Sequence, residues 1–158
     1  MIPTLLVGDH ILVNKFVYTF WEPRRGDVIV FKYPKNEERD FIKRVVALPG
    51  EKIEIRDRQV FINDTPLSER YTFFEEKDDP GIKLHDSDYH YGPVTLPRGK
   101  VFVMGDNREN SMDSRFWGLL DEEKIRGRAF IIYWSWAKNS KSMIGLNVRW
   151  NRFGKILK

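Results

Sequence analysis

The run Phe41-Ile42-Lys43-Arg44-Val45-Val46-Ala47-Leu48-Pro49-Gly50-Glu51 reads as a buried β-strand closed by a Pro-Gly turn, and it sets a charge problem that any fold of this chain must solve. Side chains alternate along a strand, so Phe41, Lys43, Val45 and Ala47 share one face while Ile42, Arg44, Val46 and Leu48 share the other. Lys43 therefore keeps apolar company. An unpaired buried ammonium is costly, and the usual escape is a lowered pKa that leaves a neutral amine. Two readings of this stretch stand side by side. Either Lys43 is a buried neutral amine fit to act as a general base, or the strand lies at an edge and the ammonium reaches water along its apolar stem.

The surrounding sequence is nearly all strand. Ile11-Leu12-Val13 begins one; Val28-Ile29-Val30-Phe31-Lys32-Tyr33 is a β-branched and aromatic run ended by Pro34. Residues 35–40 are charged and read as a hairpin loop, which makes the lysine strand an antiparallel neighbour of 28–33. Lys52–Arg56 and Gln59–Ile62 alternate around Asp57-Arg58 as a small hairpin, Val101–Met104 is a strand that stops at Gly105, and Arg126–Trp136 reads as a last long strand after a short helical turn near Asp121–Lys124. The expected fold is mainly β, with antiparallel coiled sheets and long loops, in a single domain of 158 residues. Residues 69–93 break the pattern and read as an exposed acidic loop or insertion. His85 and His90 stand there among Asp78, Asp79, Asp86 and Asp88 without a ligand-spacing motif, so neither a metal nor a cofactor is expected.

Composition excludes several classes. The absence of cysteine removes disulfides, thiolate zinc sites and thiol nucleophiles together. No apolar run approaches the roughly 18 residues of a membrane span. From Lys124 to the end there are nine basic residues and no acidic one, interleaved with Trp134, Trp136, Trp150 and Phe153. Such a mixture suits an anionic membrane surface, and it also fits nucleic acid or a solvated basic face with tryptophans in the core. The loop from Gly105 to Gly118 is dense in hydrogen-bonding groups: Asp113 and Arg115 are spaced to pair, and Ser111 offers a hydroxyl to orient a neighbour.

Four segments together resemble one family. Met1-Ile2-Pro3-Thr4-Leu5 is similar to the latter part of the Ser-Met-x-Pro-Thr-Leu signature of type I signal peptidases, the membrane-bound serine proteases that remove signal peptides from exported proteins. Arg25-Gly26-Asp27-Val28-Ile29-Val30-Phe31 resembles the next box of that family, the Phe41–Glu51 run its lysine box, and Gly105-Asp106-Asn107-Arg108-x-Asn110-Ser111-x-Asp113-Ser114-Arg115-x-Trp117-Gly118 its closing box. Residues 63–99 lie outside the match, in a region of variable length. The resemblance implies that Lys43 is the general base of a Ser-Lys pair, that Ser111 orients it, and that Asp113 and Arg115 form a supporting pair. It implies further that Met1, Leu5, Ile11, Val30, Phe41 and Ile42 line shallow apolar pockets for small side chains at P1 and P3 of a preprotein signal peptide. The extended substrate would add to the edge of the lysine strand.

One departure bears on activity. In the family the nucleophilic serine immediately precedes the methionine that is Met1 here, and the N-terminal membrane anchor lies further upstream. The expectation is a signal peptidase catalytic core lacking its nucleophile and inactive alone. It would belong at the outer face of a bacterial plasma membrane, resting on anionic lipid and binding no nucleic acid. The rivals are a LexA-like self-cleaving domain, which shares the Ser-Lys logic, and a non-catalytic β domain that binds membrane or nucleic acid through its basic end.

Overall fold

A computed structural model of the protein describes residues 1–74, 90–138 and 146–157. In chain order its elements are β1 (Asp9–Asn14), α1 (Val17–Phe20), β2 (Val28–Tyr33), β3 (Asn36–Ala47), β4 (Lys52–Arg56), β5 (Gln59–Ile62), β6 (Thr65–Pro66), β7 (Tyr91–Thr95), β8 (Lys100–Met104), α2 (Ser114–Trp117), β9 (Leu120–Asp121), β10 (Ile125–Lys138), β11 (Leu146–Val148) and β12 (Lys155–Ile156). The larger sheet runs β1-β10-β2-β3-β8-β9, with β11 and β12 also paired to β10, and the smaller runs β6-β5-β4-β7. The strand pairs are antiparallel, as the alternating sequence and short connections predict.

Three apolar clusters tie the layers together. Val46, Ala47, Phe102 and Met104 of the larger sheet pack with Ile53, Ile55, Val60 and Ile62 of the smaller one. Ile29, Phe31, Val45, Val101, Val103 and Leu120 form a second cluster, against which Phe41 and Trp117 pack. Val28, Ala129, Ile132 and Leu157 form a third, covered by Met1, Leu5, Ile11 and Ile42. Each of these fully buried aliphatic or aromatic side chains contributes about 1.5–3 kcal/mol of transfer free energy. Strand β3 contributes to all three clusters, so its alternation is the axis of the core.

Turn chemistry follows the sequence closely in one place and not in another. Asp57 and Arg58 take φ of 50° and 67°, the left-handed pair that a two-residue hairpin between β4 and β5 requires. The loop expected at residues 35–40 is shorter than its charge content suggests, because Pro34 and Lys35 alone make the turn and β3 already begins at Asn36. Its charged residues stand on an exposed, bulged extension of the strand, where Lys32 pairs with Asp40 at 3.1 Å and Lys124 with Glu37 at 2.7 Å. Charge facing water does not oppose strand pairing, so a charged run extends the strand as readily as it forms a loop.

The expected exposed segment 69–93 is corrected at both ends. Tyr91–Thr95 is β7, paired with β4. Residues 69–73 lie against the Gly105–Arg108 stretch: Phe73 N donates to Asp106 O at 2.8 Å, Arg108 N donates to Phe73 O at 2.9 Å, and Arg108 makes a buried ion pair with Glu69. Unsatisfied backbone and charge on that loop explain why an acidic stretch is drawn in. Asp78, Asp79, His85, Asp86 and Asp88 lie outside the described residues. His90 is exposed, and among the described residues no cluster of metal-ligating side chains occurs.

Gly8 joins the N-terminal segment to β1 with φ of +91°, and a Cβ there would fall 1.9 Å from the Trp136 carbonyl oxygen. Gly26 has a similar φ of +90° but open space around it. Gly26→Ala is expected to cost about 1–2 kcal/mol from backbone conformation alone, and Gly8→Ala more, since β1 must also separate from β10. Urea unfolding midpoints test this; equal losses would contradict the packing described at Gly8.

Candidate active site

Lys43 sits on β3 opposite Ile29 of β2. Residues 41–43 pair with β2 on one side only. Pairing with β8 begins at Arg44, so the other side of 41–43 is a free edge among the described strands. Along that edge runs a groove of about 480 Å3 lined by Met1, Leu5, Leu6, Phe41, Ile42, Lys43 and Met112, among others, with Asp40 at one end. The groove is mainly apolar because the N-terminal segment and the edge of β3 both present aliphatic or aromatic side chains there.

The lysine's neighbours come from the loop after β8. Lys43 Nζ donates to Ser111 Oγ at 2.8 Å. Burial holds the Lys43 pKa below its ordinary value; Arg115 adds to the lowering, while the carboxylates of Asp113 and Asp106 act against it without reversing it. The amine of Met1 is likewise lowered, first by burial and then by the charge of Lys43, which places the start of the described chain beside the lysine. Gly105 is required by close approach. A Cβ there would lie 2.3 Å from Ser111 Oγ and 3.5 Å from Lys43 Nζ, so any side chain would displace the hydroxyl.

Asp113 is fully buried and holds the loop in shape. One of its oxygens accepts from Arg115 Nε at 2.8 Å and the other from Arg115 Nη2 at 2.9 Å, and it also accepts from the Gly105 amide at 3.1 Å. Its position at the N-cap of α2 adds the Arg115 amide at 3.3 Å. Arg115 then donates to the Arg108 carbonyl at 2.7 Å. The next cation on β3, Arg44, points to the opposite face, where it is buried in a bidentate pair with Asp106 at 2.9 and 2.8 Å. Arg44 also donates to Gly26 O at 2.8 Å and lies 4.0 Å under the Tyr71 ring. Asp106 in turn accepts from the Thr4 hydroxyl, which links this network to the N-terminal segment.

Of the residues singled out from sequence, Lys43, Ser111, Asp113 and Arg115 come together in one cluster, and Met1, Leu5, Phe41 and Ile42 line the groove beside it. Ile11 and Val30 are not among the lining residues. Ile11 packs on the Val28–Ala129–Ile132–Leu157 cluster, and Val30 is the cross-strand partner of Ile42 on β2, one strand in from the free edge. Sequence reasoning passed over Thr4, Arg44, Gly105, Asp106 and Met112. The signal for Arg44, Gly105 and Asp106 was present: a second cation in an apolar strand demands a partner as much as the first does, and Gly-Asp after a strand supplies both the space and the carboxylate.

The chain matches the family model described as "Signal peptidase, peptidase S26" over residues 1–134. It is 37% identical to signal peptidase I of Aquifex aeolicus, with 85% of this chain and 72% of that protein covered, and 42% identical to signal peptidase I of Leptolyngbya laminosa, with 85% and 64% covered. The chain thus spans roughly two thirds of the length of these curated relatives. Among solved structures, a signal peptidase I from Enterococcus faecalis superposes with a TM-score of 0.53 at 31% identity, covering 68% of this chain and 97% of the other.

The lowered Lys43 pKa has a sign that stability measurements can read. Between the folded and unfolded pKa values the unfolded chain binds more protons, so stability rises with pH until the unfolded value is passed. Lys43→Met removes the titration. The stability advantage of Lys43→Met over the parent is therefore expected to shrink as pH is raised from about 7 to about 10. A pH-independent difference in urea midpoint would contradict a desolvated lysine.

Proposed function

Because the chain belongs to the signal peptidase family, peptidase S26, we propose that it is the catalytic core of a serine endopeptidase that removes signal peptides from exported preproteins by a Ser-Lys mechanism. The observation that supports this reading above the others is Lys43: a desolvated amine, held by Ser111, facing an apolar groove along a free strand edge.

The nucleophile in this reading is a serine hydroxyl carried by the residue directly ahead of Met1, whose nitrogen lies beside Lys43. Neutral Lys43 donates one N–H to Ser111 and keeps its lone pair for the serine proton. As it takes that proton, the serine oxygen bonds to the scissile carbonyl carbon. The resulting ammonium returns the proton to the departing amine as the C–N bond breaks. A water then repeats the sequence on the acyl ester, giving up its proton to Lys43, and the serine is regenerated. Ser111 fixes the amine, and the Asp113–Arg115 pair fixes Ser111.

The substrate is an extended segment with small residues at P1 and P3, added to the free edge of β3 by backbone hydrogen bonds. Met1, Leu5, Phe41 and Ile42 line the groove that would receive those small side chains. The proposed setting is the outer face of a bacterial plasma membrane, against anionic lipid. In support, Trp150 is 70% exposed and clusters with Trp134 and Phe153 at ring separations of 5.0 to 6.1 Å. No helix among the described residues is long and apolar enough to cross a membrane.

Two experiments test the reading. A chain extended by one serine ahead of Met1 is expected to cleave a preprotein at its small-x-small site, with kcat/KM rising as Lys43 loses its proton. Lys43→Ala is expected to lower it by about 10²–10⁴-fold, and the chain starting at Met1 to show no cleavage. Cleavage that survives Lys43→Ala would overturn the mechanism. For the surface, co-sedimentation is expected to be stronger with anionic than with neutral vesicles and to weaken in Trp150→Ala; equal recovery with both lipids would count against a membrane face.

A further inference from the structure

The C-terminal tail lies beyond the residues matched by the family model, which ends at 134, yet it is built into the N-terminal segment that faces Lys43. Arg152, in a single 3-10 turn ahead of β12, is buried. Its Nε donates to Asp9 Oδ1 at 2.9 Å, and its Nη2 donates to Asp9 Oδ2 at 2.5 Å and to the Thr4 carbonyl at 2.9 Å. Asp9 is saturated by further bonds from Ser135 Oγ at 2.6 Å and the Leu6 amide at 2.8 Å. Arg149 donates to the carbonyls of Val7 and Trp136, stitching the same segment to β10. Leu157, at the end of the tail, is buried in the cluster that Met1, Leu5 and Ile42 cover.

We infer that Arg152 is a positioning residue of this site: the tail clamps Met1–Asp9 so that the residue ahead of Met1 is delivered to Lys43. Thr4 is gripped from two directions. Its hydroxyl is fixed by Asp106 from the Lys43 side, and its carbonyl by Arg152 from the tail side. Loss of the second grip frees the Thr4 carbonyl, four residues from the reacting position, and takes from Asp9 the guanidinium that holds both its oxygens. A planar guanidinium suits the task because one fork spans both the carboxylate and the carbonyl, which an ammonium cannot do with the same geometry. Two of the nine basic residues that composition assigns to a lipid-facing surface are thus spent internally, at Arg149 and Arg152.

The effect on catalysis rests on the peptidase reading above, whereas the clamp itself does not, and two readouts separate them. In the chain as it stands, Arg152→Ala is expected to speed hydrogen exchange at the Leu6 and Asp9 amides while the Val45 and Val103 amides stay protected. In the chain extended by a serine, the same change is expected to lower kcat about tenfold or more, with KM altered by less than about twofold and the pH dependence unmoved. Arg152→Lys, which keeps charge on Asp9 and loses the fork onto Thr4, is expected to fall between. If Arg152→Ala also exposes Val45 and Val103, the lysine variant carries both measurements. Unchanged exchange at Leu6 and Asp9 overturns the clamp whatever the activity, and faster exchange with unchanged kcat overturns the positioning role. Absence of Lys43-dependent cleavage in the unmutated extended chain would defeat the peptidase reading instead, and the exchange data would then decide the clamp alone.

Discussion

The Arg44–Asp106 pair is the interaction on which the rest of the arrangement depends. It joins β3 to the loop that carries Ser111, reaches Gly26 ahead of β2, is roofed by Tyr71 and accepts the Thr4 hydroxyl, so five separate stretches of chain meet at one buried pair. A buried ion pair is not in itself a strong source of stability, because desolvation offsets much of its attraction. Removing one partner is another matter, costing about 3–5 kcal/mol when the remaining charge is left uncompensated. The pair therefore specifies one register rather than deepening the fold. Asp106 bound to Arg44 anchors the loop directly beside Gly105, whose lack of a side chain leaves room for Ser111 against Lys43.

Two adjacent cations on one strand meet opposite fates, and the difference creates the chemistry. Alternation sends Arg44 to a face where a carboxylate awaits it and Lys43 to a face where burial dominates. The nearest carboxylate on the lysine side, Asp113, is committed to Arg115 and the Gly105 amide, so its charge is largely answered before it reaches the amine. What remains for Lys43 is a serine hydroxyl, which orients an amine without demanding that it be charged. Guanidinium keeps its proton under nearly all conditions and lysine does not. Exchanging the two residue types would therefore leave a permanent charge in the groove.

Local features of the sequence were legible: the alternation of β3 and the turn at Asp57-Arg58 follow from period and turn chemistry, whereas the convergence of the polar loop on Lys43 follows from the family resemblance and not from spacing. The supporting network was not. Arg152 with Asp9, Arg44 with Asp106 and Glu69 with Arg108 pair residues far apart in the chain, and no local pattern selects one aspartate over another for a given arginine. Residues 69–73 read as solvent-exposed from their acidic composition, yet the Glu69 side chain is buried because it neutralises the buried guanidinium of Arg108. Composition likewise does not separate Arg149 and Arg152, which face inward, from the other basic residues of the tail.

The central claim is that Lys43 is a desolvated amine whose neighbouring carboxylates, Asp106 and Asp113, are each committed to an arginine. Titration of the lysine side chains by NMR, with Lys43 assigned through Lys43→Arg, measures this directly. The account predicts that Lys43 titrates below the ordinary lysine value of about 10.4, apart from the bulk of the lysine resonances. A Lys43 resonance that moves together with those of the surface lysines would contradict it.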